Sequence, residues 1–254
     1  MLNYPMRWII KPQVVSADWP APANIKTLIS TRKGGVSHGP FSSLNLGDHV
    51  NDNIDDVVAN RNLITAFLPA APTWLSQVHG TNVIELTSST KIPGTPVADG
   101  SFSKESNQVC CVMTADCLPV LLCNEQGTQV AAVHAGWRGL LDGIIEQAID
   151  KFDSSDQLLA YLGPAIGPNA FEVGNEVQQA FCEQDHKAEN AFKPSSNQGK
   201  WLADIYQLAK MRLNHKGVGG VYGGEFCTVR DVVSFFSYRR DGQTGRMASC
   251  IWID

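Results

Sequence analysis

The sequence predicts an α/β protein of the α+β kind, in which mixed or antiparallel sheets are covered by helices. Three observations point there. Short apolar runs with strand character recur from residue 25 to residue 253, and helical patterns interrupt them too irregularly for a βαβ repeat. Of the 254 residues 43% are apolar, enough to bury a large core. No Pro/Ser-rich linker or abrupt charge shift divides the chain, so residues 1–254 read as a single domain.

Taken in order, the first strand is expected over 25–30. Asn53 then caps a helix whose first turn carries Asp55 and Asp56, and which runs to about Phe67 before Pro69 stops it. Strands follow over 73–78, 83–86 and 108–113. Residues 119–123 and 128–133 flank the polar turn Asn124-Glu125-Gln126-Gly127 and predict a hairpin. An amphipathic helix is expected over 140–152 and a strand over 158–162. Further helices are expected over 176–182 and 202–214, the last ended by Gly217. Residues 193–200 form a surface loop, and a strand over 247–253 closes the chain.

The formal charge is −5, from 20 Lys and Arg against 25 Asp and Glu, with the basic residues scattered. That argues against nucleic acid as a main partner. The N-terminus, with Trp8-Ile9-Ile10 its one apolar run, lacks a signal-peptide core, and no run approaches the length of a membrane span. A soluble, cytoplasmic protein is expected. The seven cysteines lack CxxC spacing, and most are expected to be buried thiols in a reducing compartment. Cys110, Cys111 and Cys123 read as structural.

His79, Cys117 and His134 carry the chemistry. They lie in Gln77-Val78-His79-Gly80, in Thr114-Ala115-Asp116-Cys117-Leu118-Pro119 and in Val133-His134-Ala135-Gly136-Trp137-Arg138-Gly139. Three His/Cys ligands with a fourth position open describe a catalytic zinc site rather than a structural one. In a hairpin that pairs Cys123 with Thr128, the same register sets Cys117 opposite His134 on one face. Pro119 marks a bulge in that reading. His38, His49, His186 and His215 fall in polar loops or helix ends and read as solvent-exposed.

Arg32, beside Gly34-Gly35, is a candidate phosphate donor, without the Walker spacing of a P-loop. Arg138 is a second anion donor or a structural ion-pair partner. Asp99 and Asp116 are proton handlers or partners that orient the ligating imidazoles, and could equally be turn caps. With Asn45 and Gln77, these four complete the candidate substrate-contacting set. The loops Gly163-Pro164-Ala165-Ile166-Gly167-Pro168 and 236–242 are assigned no chemistry.

Together the motifs resemble the YfiH family, also called the laccase-domain or polyphenol-oxidase family. The resemblance spans nearly the whole chain: Ser30-Thr31-Arg32 with Gly34-Gly35-Val36-Ser37, Ser43-Leu44-Asn45-Leu46-Gly47, Trp74-Leu75, Ala98-Asp99, the three ligand motifs, 162–167, 235–240 and Thr244-Gly245-Arg246-Met247. It implies a layered α-β-β-α sandwich and zinc, or alternatively copper, on His79, Cys117 and His134. It also implies purine nucleoside phosphorylase activity on adenosine, inosine, guanosine and methylthioadenosine, with adenosine deaminase activity from the same site. Two alternatives attach to the family: a hydrolase that edits a UDP-muramyl-Ser cell-wall precursor, and a copper-dependent polyphenol oxidase. The oxidase reading is disfavoured, because six His with no His-x-His pair cannot build a multicopper centre in one subunit.

Overall fold

The computed structural model describes residues 11–89, 94–154 and 156–254. The Trp8-Ile9-Ile10 run lies outside the described residues. In chain order the strands are β1 (Val14–Val15), β2 (Ile25–Ser30), β3 (Val83–Glu85), β4 (Gly100–Ser103), β5 (Cys110–Thr114), β6 (Leu118–Asn124), β7 (Val130–Ala135), β8 (Leu158–Leu162), β9 (Glu172–Gly174), β10 (Phe192–Pro194), β11 (Lys200–Ala203), β12 (Gly220–Gly223) and β13 (Met247–Ile253). The helices are α1 (Ile54–Thr65), α2 (Trp137–Asp142), α3 (Ile144–Ile149), α4 (Asn175–Gln184), α5 (Ile205–His215) and α6 (Tyr238–Asp241), with short 3-10 turns at Gly39–Phe41 and His186–Ala191.

A four-stranded antiparallel sheet runs β1-β2-β13-β5, and a six-stranded mixed sheet runs β12-β8-β6-β7-β4-β3. In the larger sheet β12 pairs parallel to β8 and β3 parallel to β4, while the remaining pairs are antiparallel. A small sheet, β10-β11-β9, stands apart from both.

The packing gives four layers. Ile29, Val112 and Ile251 of the smaller sheet meet Leu121, Ala132 and Leu159 of the larger one in a shared core. Because side chains alternate along a strand, Leu28, Cys111 and Cys250 face the other way, onto Ile64 of α1 and the loop residues Leu44 and Leu46. On the far side of the larger sheet, Val120, Val133 and Ala160 pack under Leu140, Ile145, Phe181 and Leu208 of the helices. The strands β5 to β8 are thus buried on both faces, and they read as continuous apolar runs instead of alternating ones.

Several expectations meet the structure closely, and others fail for local reasons. β2, β8 and β13 occupy the expected residues. Asn53 caps α1 by accepting from the Asp55 amide. The helix expected over 140–152 is two, α2 and α3, broken at Gly143, which sits in the left-handed region at φ +96°. Residues 73–78 make no strand. Ser76 forms one isolated bridge to Val97, because Gln77 turns its side chain onto the Met113 backbone instead of extending a ladder. The expected helix at 202 begins at Ile205, after β11, with the Asp204 side chain accepting from the Gln207 amide. The loop at 193–200 is the turn of the β10–β11 hairpin.

The β6–β7 hairpin forms with its centre moved by one residue. Pro119, not Cys117, lies opposite His134, and Cys123 lies opposite Val130. The cause is Asn124, which joins the strand: its Oδ1 accepts from the amides of Thr128 and Gln129, while its Nδ2 donates to Thr128 Oγ1 and Asp156. Gly127, at φ +70°, closes the turn. A shift of two in pairing preserves which face each side chain takes. Pro119 stays inside the ladder rather than in a bulge, with its carbonyl accepting from the Gly163 amide. Among the described residues no helix is long and apolar enough to cross a membrane.

Candidate metal centre

The centre lies where β5, β6 and β7 meet the turn at 77–80. Each candidate ligand is presented by a different local device. His134 comes from the end of β7, where its amide donates to the Asp99 carbonyl at 2.7 Å. His79 sits at φ +62°, an unfavourable backbone for a non-glycine residue. The Asp99 carboxylate holds that turn by accepting from the amides of Val78, His79 and Gly80 at 3.1, 2.9 and 2.8 Å. Gln77 locks the other side of the turn, donating to the Met113 carbonyl and accepting from the Met113 amide. Cys117 follows Asp116, itself at φ +91°. Asp116 is held by Thr228 Oγ1 at 2.5 Å and by the Arg239 amide at 2.6 Å.

The three ligand atoms lie within 4.8 Å of one another, and Cys117 Sγ is 3.6 Å from His79 Nε2. Tetrahedral zinc, with bonds of about 2.3 Å to sulfur and about 2.0–2.1 Å to nitrogen, sets neighbouring ligand atoms about 3.3–3.6 Å apart. The Cys117–His79 separation matches that spacing, and two imidazoles with a thiolate are donors that zinc takes. His134 Nδ1 is 2.8 Å from Asp99 Oδ1, so Nδ1 donates to the carboxylate and Nε2 is the nitrogen left to take a metal once it is deprotonated, the usual carboxylate–histidine pairing behind a metal ligand.

Gly136 makes the approach possible. A Cβ there would stand 2.6 Å from His79 Cδ2 and 3.1 Å from Cys117 Sγ. Gly139 likewise lets the first turn of α2 reach the Gly80 carbonyl, which a Cβ would meet at 2.8 Å.

The electrostatics are those of a thiolate beside an imidazolium. Burial alone would push the Cys117 thiol up, but the His134 and His79 imidazoles outweigh it and bring the pKa down to about 6. Burial would lower His134, yet the Cys117 charge and the Asp99 hydrogen bond raise it to about 9. Burial works against the Asp99 carboxylate, and its hydrogen bonds to His134 and the backbone amides still hold it below the usual carboxylate range. Cys110 and Cys123, remote from such partners, are pushed up to about 12 by burial. All seven cysteines are free thiols.

A cleft of about 380 Å³ opens over the three residues, and Gln77, Met113, Thr114, His49, Tyr238 and Arg246 also line it. His49 is exposed as expected, with 55% of its side chain accessible, and it also lines the cleft, where partial burial and the Arg246 charge hold its pKa below the usual histidine value. Arg246 is placed by Asn45, whose Oδ1 accepts from its amide at 2.9 Å. Gly47 lies so close beneath it that a Cβ would reach Arg246 Cγ at 2.7 Å.

The remaining candidates lie elsewhere. Arg32 donates to the carbonyls of Ser42 and Val232, two of its five donors, and stacks over Phe236, 4.7 Å from its centroid. Arg138 is exposed and stacks 4.3 Å from the Trp137 ring. Asn45 is fully buried in backbone and Asp52 contacts. Neither Arg32, Arg138 nor Asn45 lines the cleft. Tyr238 and Arg246 lie inside the motifs at 235–240 and 244–247, and a tyrosine and an arginine in those motifs were the signal available.

Residues 26–254 match the family model described as multi-copper polyphenol oxidoreductase laccase. The chain is 50% identical over 240 residues to a protein of Pseudomonas aeruginosa named purine nucleoside phosphorylase, covering 94% of this chain and 98% of that one. It is 51% identical over 248 residues to purine nucleoside phosphorylase YfiH of Escherichia coli, covering 95% and 99%. Among solved structures, protein NMB0706 of Neisseria meningitidis aligns at a TM-score of 0.89 with 52% identity, over 95% of this chain and 99% of that one. YlmD of Geobacillus stearothermophilus aligns at 0.82 with 31% identity, over 92% and 94%. At this identity and coverage, the chain belongs to the YfiH family of laccase-domain proteins.

Proposed function

We propose that the protein is a zinc-dependent purine nucleoside phosphorylase that also deaminates adenosine. The observation that carries this reading is the cleft itself: the three metal-binding side chains share the lining of about 380 Å³ with the Arg246 guanidinium and the His49 imidazole. That volume lies in the range of small-molecule sites, about 300–1,000 Å³. A zinc held by His79, Cys117 and His134 would supply Lewis acidity at its open position.

The chain's own residues do the rest. Arg246 offers guanidinium donors to phosphate, and His49 stands beside it as a second donor. The exposed Tyr238 ring, 61% accessible, gives the purine a face to stack on. The Asp99–His134 pair fixes the imidazole's orientation, so the ligand set is in place before substrate enters. His/Cys/His ligation favours zinc or copper over hard cations, and among the described residues these three form the one such cluster. One three-ligand centre supports single-metal chemistry rather than four-electron oxidation. The names of the relatives support nucleosides and phosphate as substrates. Seven free thiols support a reducing, cytoplasmic setting, and the match over residues 26–254 supports one unit.

The test is incubation of zinc-loaded protein with inosine, with and without phosphate, and with adenosine, products being followed by mass spectrometry. Hypoxanthine and ribose 1-phosphate should appear only with phosphate. Arg246→Ala should lower phosphorolysis about 10²–10³-fold and adenosine deamination much less, whereas Arg32→Ala should lower thermal stability and leave the phosphate requirement unchanged. Protein inert towards every purine nucleoside ends this reading.

A further inference from the structure

Cys111 and Cys250 stand directly opposite each other across the β5–β13 ladder, with their sulfurs 3.2 Å apart. The ladder explains the approach. The amides of Ala248 and Asp254 donate on the β2 side, to Ser30 Oγ and to the Asn24 carbonyl, while the Ile253 carbonyl accepts from the Asn107 amide on the β5 side. Backbone polar groups alternate sides along a strand, so Cys250, like Ala248, bonds towards β2. Towards β5 it therefore forms a non-hydrogen-bonded pair with Cys111. In such pairs the Cα atoms are roughly 4.5 Å apart and the side chains come closest, within the roughly 4.4–6.8 Å that a disulfide spans.

The neighbouring thiols are placed differently. Cys110 points into the layer between the sheets, its sulfur 3.9 Å from the Val130 carbonyl, and Cys123 lies in that layer too. Cys111 and Cys250 lie in the layer beneath α1, beside Leu44, Leu46 and Ile64. There Arg61 of α1 interacts electrostatically with Cys111. A guanidinium near a thiol favours its thiolate, the nucleophilic form. Packing alone asks only for two small apolar side chains at these positions, whereas two facing sulfurs with a nearby cation can also react.

We propose that Cys111 and Cys250 are a redox-active pair, closed by hydrogen peroxide into a disulfide that clamps β5 to β13. The Cys111 thiolate attacks one peroxide oxygen and the O–O bond breaks. Cys111 becomes a sulfenic acid, and the hydroxide released takes up a proton as water. The Cys250 sulfur then attacks the Cys111 sulfur, and the sulfenic hydroxyl leaves with the Cys250 proton as a second water. The two thiols lose two electrons, and both pass to the peroxide oxygens. The sulfurs are 1% and 0% exposed, so the reaction is slow and needs an oxidant as small as peroxide. The clamp joins β5, whose Thr114 lines the metal cleft, to β13, which directly follows Arg246. It is independent of the reaction in that cleft.

Folded protein treated with hydrogen peroxide, quenched in acid, alkylated in urea and mapped by mass spectrometry provides the test. A linked Cys111–Cys250 peptide should appear, two hydrogens lighter than its two parts, and dithiothreitol in urea should release it. The link closes a span of 139 residues and so restricts the unfolded chain. Treated parent should accordingly melt higher than Cys250→Ala treated alike, by roughly 4–16 °C after each is referred to its own untreated form. Recovery of both cysteines as free thiols after the half-buried Cys117, Cys182 and Cys227 have reacted would show a packing pair only. A link that lowers Tm would show that the sheet must distort to make it. Either result overturns the proposal.

Discussion

Asp99 bears on both candidate histidine ligands at once: its carboxylate accepts from His134 Nδ1 and from three amides of the turn that carries His79. An asparagine there can satisfy some of these donors but presents an NH₂ to the others. Asp99→Asn should therefore lower zinc affinity about 10–100-fold. The same residue shapes the pH dependence. In the metal-free protein Cys117 titrates at about 6 and His134 at about 9. At neutral pH, then, the sulfur is already a thiolate, and the His134 imidazolium must lose its proton before it can ligate. Zinc affinity should rise with pH between about 6 and about 9, by about tenfold per pH unit for the single proton released. Below about 6 it should fall more steeply, as the Cys117 thiolate is protonated too. Asp99→Asn removes a charge that raises His134, so its sloping region should move to lower pH. Zinc titrations by calorimetry across this range check both expectations, and an affinity flat from pH 6 to 9 would contradict the paired thiolate and imidazolium.

The elements that position this centre depend on single side chains as much as on hydrophobic pattern. Asn124 is 1% exposed and makes four hydrogen bonds that set the β6–β7 register. Asn124→Ala leaves the Thr128 and Gln129 amides short of an acceptor, and should cost about 2–3 kcal/mol. That would appear as a lower urea midpoint with an unchanged slope; a shift within experimental error would show that the turn holds itself. This residue also marks the limit of reading elements from sequence. β8 and β13 were legible because their burial makes them largely apolar runs bounded by polar or glycine residues, and β2 was legible from Ile25, Thr27, Leu28 and Ile29. The hairpin was legible as a hairpin, but the polar Asn124 looked like turn when its side chain makes it the last strand residue. β4, Gly-Ser-Phe-Ser, and β12, Gly-Val-Tyr-Gly, carry no strand pattern at all. Each is recruited by ladder pairing, β4 between β7 and β3 and β12 beside β8, and such long-range pairing leaves little trace in local sequence.

Across the whole molecule, the three candidate ligands were legible because each sits in a compact motif, whereas their surroundings arise from contacts between distant parts of the chain. Asn45 places Arg246, 201 residues away, and that contact, not any local signal, brings a cation to the cleft where Arg32 had been expected. The layers themselves do not need the metal. His79, Cys117 and His134 lie at the end of the strands, while the cores between the sheets and under the helices are closed by residues such as Leu121, Val133 and Ile251 at 0% exposure. Removing zinc should consequently leave the fold intact, unlike a zinc finger, which unfolds without its metal. Zinc bound to the folded chain would still stabilise it by linkage, by about 2.7 kcal/mol when free zinc is 100 times its dissociation constant. For a chain of this size each kcal/mol moves the midpoint by roughly 2–4 °C. Chelation should then leave the far-UV circular dichroism unchanged and lower Tm by roughly 5–11 °C at that zinc excess, with full recovery when zinc is returned. Loss of secondary structure on chelation would mean that the metal organises the sheets rather than occupying a centre that the sheets and Asp99 already present.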